Sequence, residues 1–545
     1  MPGGRPAPLL FRRRPLIIRG MATRFSMIRR LLPLLALVAP GPALADWIPA
    51  EAERTIAFGF AAIVERHLHP VSAATLAVDG MRGLADIDPQ FAVSVRDGGV
   101  RLSTAEATVG EFGSPADNDA AGWAKVTAAV IEAARLQSAR LRDADAEKLY
   151  QAVFEGALGK ADLHSRYAGA WEAREHRASR NGFGGIGIRF DLVDSEPRIV
   201  EVIEDTPAAR AGLRVGDVII TIDGQPVATL DRVDISSRLR GAVSTELSLT
   251  VRRDGQPLDI GLRRSRIVPR TVTMTLSDGI ARLRVSSFNR LTAHSLEEQV
   301  KIARDRLGPG LLGVVLDLRG NPGGLLDKAV AVADLFIAQG PIVSTKGRHP
   351  ESVHAFAAHP GDIAEDLPVV VLVDGRSASA AEIVASALQD AGRAVVVGTN
   401  SYGKGTVQTV IDLPNGGEIT LTWSRFHAPS GYALHGLGVL PTLCTGQGAT
   451  PTAILDGLAR GKWSPTLPET LAVWRSAGLG ETDLRLRLRG GCPPARRADA
   501  RADMDLAERL LLNGAAHARA LSMSTPPRML EARRPGIAGP EQPPH

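Results

Sequence analysis

The residues of this chain best suited to chemistry crowd into one stretch, Pro368 to Leu413. It holds Ser377 and Ser379 in the run Ser377-Ala378-Ser379-Ala380-Ala381, then Ser401 and Lys404 in a glycine-rich turn. A serine hydroxyl is inert until a base takes its proton, and no histidine lies near 377–381 in sequence. A lysine can do that work if burial lowers its pKa from about 10.4 toward roughly 7–8. Val395, Val396, Val397 and Val407 offer such an apolar setting, and Gln408, four residues beyond Lys404, can orient the ammonium and its hydroxyl partner. The oxyanion of an acyl-transfer step needs two inward N–H donors. The residue after a helix-start serine supplies one (Ala380 if Ser379 attacks), and Gly323-Gly324 is a flexible donor loop for the other.

Two other readings of Lys404 fail on their surroundings. Gly398 to Lys404 nearly spells a phosphate-binding loop, but Gly405 replaces the magnesium-binding hydroxyl and a strand follows instead of a helix. Ser401-x-x-Lys404 matches the nucleophile–base pair of penicillin-binding enzymes, yet Ser287-Phe288-Asn289 precedes it and no Lys-Thr-Gly exists. A plain packing reading also stands: small residues at 377–381 permit close helix–sheet contact, and Lys404 is then a surface lysine.

The elements that must position these groups alternate strand and helix. Strands are expected at 313–318, 369–373 and 394–397, and helices at 325–336 and from 377 to about 391. With a strand at 279–285 and a helix at 295–305, this predicts a parallel α/β core over 266–445. Residues 342–367 are polar and read as surface loop. Ahead of the core, 176–265 is a small β-rich unit. Its turn Gly185-Ile186-Gly187-Ile188 lets backbone N–H groups converge into a nest for a terminal carboxylate, with Ile186 and Ile188 lining a pocket for an apolar last side chain. Residues 46–175 read as mostly helical, with a strand-like patch at 91–102. Beyond the core come an extension over 446–521, with one helix expected at 500–519, and a disordered tail over 522–545.

Composition narrows the class. The 545 residues carry a formal charge of +5 and only 4% aromatics. The arginines crowd the two ends with no aromatic interleaving, which argues against nucleic-acid binding. Residues 1–45 hold a basic segment, a short apolar run and Ala43-Leu44-Ala45, the pattern of a signal peptide that ends before Asp46. The run is too short to span a bilayer, so a soluble periplasmic protein is expected. Export permits a disulfide between the two cysteines, Cys444 and Cys492, although two reduced thiols fit equally well. His67, His69 and His164 match no metal-binding spacing.

Read in order, the segments DLHSRY, FGGIGI, DTPAARAGLRVGDVIITIDG, VVLDLRGNPGGLLDKAVAVADLFI, VVLVDGRSASAAEIVASALQDAGRAVVVGTNSYGKGTVQT and TWSRFHAPSG resemble the carboxyl-terminal processing peptidases, the PDZ-containing tail-specific proteases of family S41. The resemblance runs from about Asp162 to Pro441. It implies Ser379 as nucleophile, leaving Ser377 a bystander, with Lys404 as general base and Gln408 in support. It also implies oxyanion donors on Ala380 and on Gly323 or Gly324. It further implies a crotonase/ClpP-like core of strand-strand-helix units with an inserted PDZ domain and no cofactor or metal. The implied substrates are exported proteins with apolar C-termini, and the implied partners an adaptor protein or a second copy of the chain. The pattern departs at Thr442, where family members commonly carry aspartate. An inactive PDZ scaffold that only captures C-termini is the alternative. A crotonase-type acyl-CoA enzyme fits neither the PDZ unit nor export.

Overall fold

The computed structural model of the chain describes residues 47–526 apart from 97, 447, 498 and 499. The stretch read as a signal peptide and the tail from 527 onward lie outside the described residues.

Uninterrupted apolar runs make the central strands, because a strand covered on both faces has no polar side. Gly313–Asp317, Val369–Val373 and Ala394–Gly398 are buried at every residue. They sit in a six-stranded sheet ordered Val272–Ser277, Ile280–Val285, Gly313–Asp317, Val369–Val373, Ala394–Gly398, Leu443–Cys444. The first pair is antiparallel and the other pairs are parallel. Alternate residues divide between two layers. Val314, Leu316, Val369, Val371 and Val396 pack with helices Thr292–Leu307, Leu326–Asp334 and Ala380–Asp390. Val315, Val370, Leu372, Val395 and Val397 pack instead with Ile454, Leu458, Leu506, Leu510 and Ala520 of the C-terminal extension. The extension is therefore the third layer of the core. It holds helices Arg501–Leu511 and Gly514–Ser524, where one helix over 500–519 was expected. The Asn513 side chain accepts from the Ala516 N–H and starts the second helix, which continues through 522–524 of the expected disordered tail.

Residues 342–367 are not simply loop. Pro341–Gly347 and His354–Ala357 are strands of a second sheet, ordered His354–Ala357, Pro341–Gly347, Glu418–His427, Thr406–Asp412. Ile342, Val343 and Thr345 are buried, whereas His354–Ala357 is a short, mostly exposed edge strand, and that edge keeps the segment polar enough to hide its strand character.

Helices Pro49–Arg66, Ala73–Arg82, Ala120–Gln137 and Ala146–Leu158 form the N-terminal region with a three-stranded antiparallel sheet of Ala92–Arg96, Gly99–Ser103 and Thr108–Gly113. The core of this region includes Ile411, Leu413, Ile419 and Leu421 from the hairpin after Lys404, so the N-terminal region braces that hairpin. Helix Ala170–Asn181 then leads to the β-rich unit, whose strands run Gln256–Arg263, Glu246–Arg253, Val218–Ile222, Glu196–Val202, Ile188–Val193, with helix Arg232–Leu239 packed on them. Phe183–Gly185 pairs with Ser265–Ile267, which closes the neck of the insertion where the chain enters and leaves it.

Candidate active site

Ser379 stands at the start of helix Ala380–Asp390 with φ +53, a left-handed conformation that a non-glycine residue adopts only where its surroundings hold it. What holds it is Glu382, which is fully buried. Its Oε2 accepts from the Ser379 N–H at 2.8 Å and the Lys404 N–H at 2.9 Å. Its Oε1 accepts from the Ser401 hydroxyl at 2.5 Å and the Gly403 N–H at 2.6 Å. One carboxyl thus ties the serine turn to the lysine loop. Burial pushes its pKa above the ordinary range, against four donors that favour the carboxylate.

The three serines separate cleanly. The Ser377 hydroxyl is buried, donates to Leu318 O at 2.8 Å and accepts from the Asp374 N–H at 2.9 Å. Ser401 is committed to Glu382 and to the Val439 N–H. Apart from the capping-box contact with the Glu382 N–H, the Ser379 hydroxyl and the Lys404 amine make no hydrogen bond among the described residues, which leaves the hydroxyl proton and the amine available to each other and to a substrate. Burial first, and then the Arg166 charge, lower the Lys404 pKa, opposed by Glu382 and Asp162. That is the direction a general base needs.

The glycine loop lies against Ser379. A Cβ added to Gly323 would meet Ser379 Cβ at 2.9 Å and Ala380 N at 3.1 Å. The Gly323 N–H, however, already donates to Asn321 Oδ1 at 2.8 Å. Neither the Ala380 nor the Gly324 N–H has an acceptor among the described residues, so these two are the available donors. Asn321 fixes the loop through Val285 O and takes the Ala378 N–H on its own carbonyl.

Gln408 is placed differently from expectation. Its amide donates to Thr406 Oγ1 at 2.9 Å and approaches Thr422 Oγ1 at 3.4 Å, not Lys404. Thr422 in turn donates to Asp162 Oδ1, which also accepts the His164 and Ser165 N–H groups. The second oxygen, Asp162 Oδ2, accepts from the Ser165 hydroxyl and bonds His67 Nε2. Of the three flagged histidines, His67 is therefore a structural partner. No group of three or more metal-ligating side chains exists among the described residues.

In the β-rich unit, Ile186 is 2% exposed and packs in the core beside Phe190 and Ile199 instead of lining a pocket. Gly187, at φ +87, has no room for a side chain, since a Cβ would strike Thr206. Ile188 opens the next strand and is half-buried, and Gly185 pairs with Ser265. The cavity of about 660 Å³ nearby is lined by Phe183, Gly184, Ser236 and Arg240, with Trp171 and Glu175 from the preceding helix.

Sequence similarity places this arrangement. The Peptidase family S41 profile matches residues 279–444 and the PDZ domain profile residues 184–263. The carboxy-terminal-processing protease of Bartonella bacilliformis is 38% identical over 350 residues, which cover 64% of this chain and 76% of that protein. The chain belongs to the carboxy-terminal-processing protease family. A probable CtpA-like serine protease of Staphylococcus aureus is 31% identical over 311 residues, 56% of this chain and 62% of that one. The photosystem II D1 C-terminal processing protease superposes with a TM-score of 0.33 at 26% identity, covering 54% and 81% of the two chains. The protein is a serine endopeptidase of mixed α/β fold with an inserted PDZ domain.

Sequence reasoning missed Glu382 and Asp162 in this peptidase. A glutamate three residues after a helix-start serine is a capping signal, and that signal was present at Ser379. The Asp162 hub needs partners about 95 and 260 residues away in the chain, which no local pattern reveals.

The cysteines do form a disulfide, Cys444–Cys492, which bonds the end of the core sheet to the extension. Thr442, at the position where the family pattern departs, is buried and meets the Gln389 amide at 3.3 Å.

Proposed function

We propose that this peptidase cuts proteins near nonpolar C-termini with a Ser379–Lys404 dyad, and that the PDZ turn Gly185–Ile188 takes the substrate's terminal carboxylate. The observation that carries the dyad is the Glu382 carboxyl, which holds both loops on one oxygen. Lys404 takes the Ser379 hydroxyl proton and the oxygen attacks the peptide carbonyl. The N–H groups of Ala380 and Gly324, in the Gly323-Gly324 loop, receive the oxyanion. Collapse expels the amine, which leaves with the proton from Lys404, and water then hydrolyses the acyl-enzyme with Lys404 again as base. Gln408 orients Lys404 once its amide turns from Thr406.

Repeated strand–helix units around the site support a crotonase/ClpP-like core. The basic–apolar start of the sequence supports export to the periplasm, and with it exported substrates. An adaptor or a second copy of the chain is the partner class proposed for the N-terminal region.

Ser379→Ala and Lys404→Ala should each lower kcat at least about a thousandfold. Mass spectrometry of an apolar-tailed substrate, with the fold checked by thermal melting, reads this out. Unchanged cleavage by either variant overturns the assignment. Because the neutral amine is the active form, kcat/KM should rise with pH through the Lys404 pKa, which burial holds below the ordinary lysine value, and then level off.

A further inference from the structure

The C-terminal extension reaches the catalytic cleft. Beyond Cys492, pinned to Cys444, the chain lies against the turn that leads to Ser379. The Gly375 N–H donates to Ala495 O at 2.8 Å, the Ala495 N–H to Thr399 Oγ1 at 3.2 Å and the Arg497 N–H to Asp374 Oδ2 at 2.9 Å. A Cβ on Gly375 would stand 2.8 Å from Ala495 N, so only glycine admits this approach. Pro494, Ala495 and Arg496 thereby form one wall of a cavity of about 560 Å³ whose lining also includes Ala378, Tyr402 and Lys404.

The charge of this cavity is one-sided. Arg376 and Arg496 line it along with Lys404, and among the described residues no carboxylate does. Arg166 stands close enough to depress both Lys404 and His164, against the Asp162 carboxylate behind them. The side chains of Arg166, Arg376 and Arg496 have no hydrogen bond and no ion pair among the described residues. Neighbouring arginines do: Arg319 pairs with Asp317, Arg497 with Asp503, and Arg489 donates to Leu437 O. Unpaired guanidiniums around a cleft concentrate positive potential there, and their donor fork matches a carboxylate.

We infer that this cleft reads an acidic side chain flanking the scissile bond, with Arg496 of the C-terminal extension as a specificity-determining residue. The inference rests on the Ser379–Lys404 reading of the cleft and adds a substrate preference to it. It is compatible with a nonpolar terminus, because the PDZ turn and the cleft bind different parts of the substrate. It also gives the extension a role in recognition besides covering the core sheet.

The test uses the full chain and matched peptides that end in one apolar tail and differ by a single Glu, Gln or Lys at each position flanking the cleaved bond. Wild type should cleave the Glu peptide about two- to fivefold faster in kcat/KM than the Gln peptide, chiefly through KM, and the Lys peptide slower still. Arg496→Glu should reverse that order, and Arg376→Glu should weaken it. Added salt should shrink the preference. Both side chains are exposed and unpaired among the described residues, so these variants should keep the wild-type melting temperature. Equal kcat/KM for the three peptides at every flank, or an order unchanged in Arg496→Glu, overturns the inference. Ser379→Ala separates the two readings. If it cleaves, the dyad fails; if only wild type cleaves and shows no charge preference, this inference alone fails.

Discussion

Two buried glutamates fasten separate parts of this molecule, and they do so by opposite means. Glu382 has only neutral donors: three backbone N–H groups and one hydroxyl. Glu418 has guanidiniums and an imidazole: Arg180 bidentate at 2.8 and 3.1 Å, Arg177 at 3.6 Å, and His176 Nδ1 at 3.0 Å. Both side chains are fully buried. Burial pushes the Glu382 pKa up, whereas for Glu418 the arginine and histidine outweigh burial and push it down. The difference follows from what each one secures. Glu382 fixes loop backbones next to Lys404, where another cation as its partner would add charge to the site. Glu418 clamps helix Ala170–Asn181, which delivers the PDZ domain, to strand Glu418–His427. Fastening one helix to a strand far from Lys404 tolerates charge.

The comparison breaks first at Glu382. Glu382→Gln places an amide NH₂ against donors that need acceptors, so two of the four lose their partner. The expected loss is about 3–5 kcal/mol of stability, a large share of what a domain has. Peptidase activity should fall with it even below the melting temperature, because the Ser379 turn loses its brace. Chemical denaturation and activity at low temperature check this. A melt within a degree of wild type would show that the carboxyl is not the strap its hydrogen bonds suggest.

How much of this was legible in the sequence depends on range. The strand–turn–helix placement of Ser379 and the turn carrying Lys404 could be read because hydrophobic runs and glycines signal locally. Order and spacing of the motifs gave the PDZ insertion. The strands at 341–347 and 354–357 stayed hidden because the second is a short exposed edge and the first, with Ile342 and Val343 buried side by side, lacks the alternation that marks a strand. Spacing alone could not choose between Ser377 and Ser379, and the resemblance made that choice; the bonds that occupy Ser377 and Ser401 stayed hidden, since their partners Leu318 and Val439 lie 59 and 38 residues away. The extension's part in the core was invisible too. Its helices look like ordinary amphipathic segments until Leu506 and Leu510 are seen against Val315 and Val370.

Glu418 gives the next effect. Glu418→Gln keeps the shape but leaves Arg180 with a neutral acceptor, at an expected cost of about 1–3 kcal/mol. The sign with pH follows from the lowered pKa. The ion pair's contribution is fully present above the unfolded carboxyl value of about 4.3 and is lost as pH falls through the folded value. The wild-type-minus-variant difference in stability should therefore shrink on acidification below pH 4.3, approximately, and stay flat from there to neutrality. A difference that grows as the pH drops would remove Glu418 from the comparison.

The smallest effect is expected at Gln408, which belongs to neither carboxyl. Its amide is spent on Thr406 and Thr422, and the strand pairing shifts register between Val407 and Gln408. Two roles predict different readouts. If Gln408 only fastens the hairpin, Gln408→Ala lowers the melting temperature and leaves kcat and its pH midpoint alone. If it orients Lys404, kcat falls about tenfold, far less than for Lys404→Ala, and the midpoint of the kcat–pH curve moves. The second outcome is the expected one, because the Lys404 amine has no hydrogen-bonding partner among the described residues and Gln408 lies on the strand that follows it. A melt shift with an unmoved midpoint would assign Gln408 to the hairpin and leave Lys404 positioned by the Glu382 strap alone.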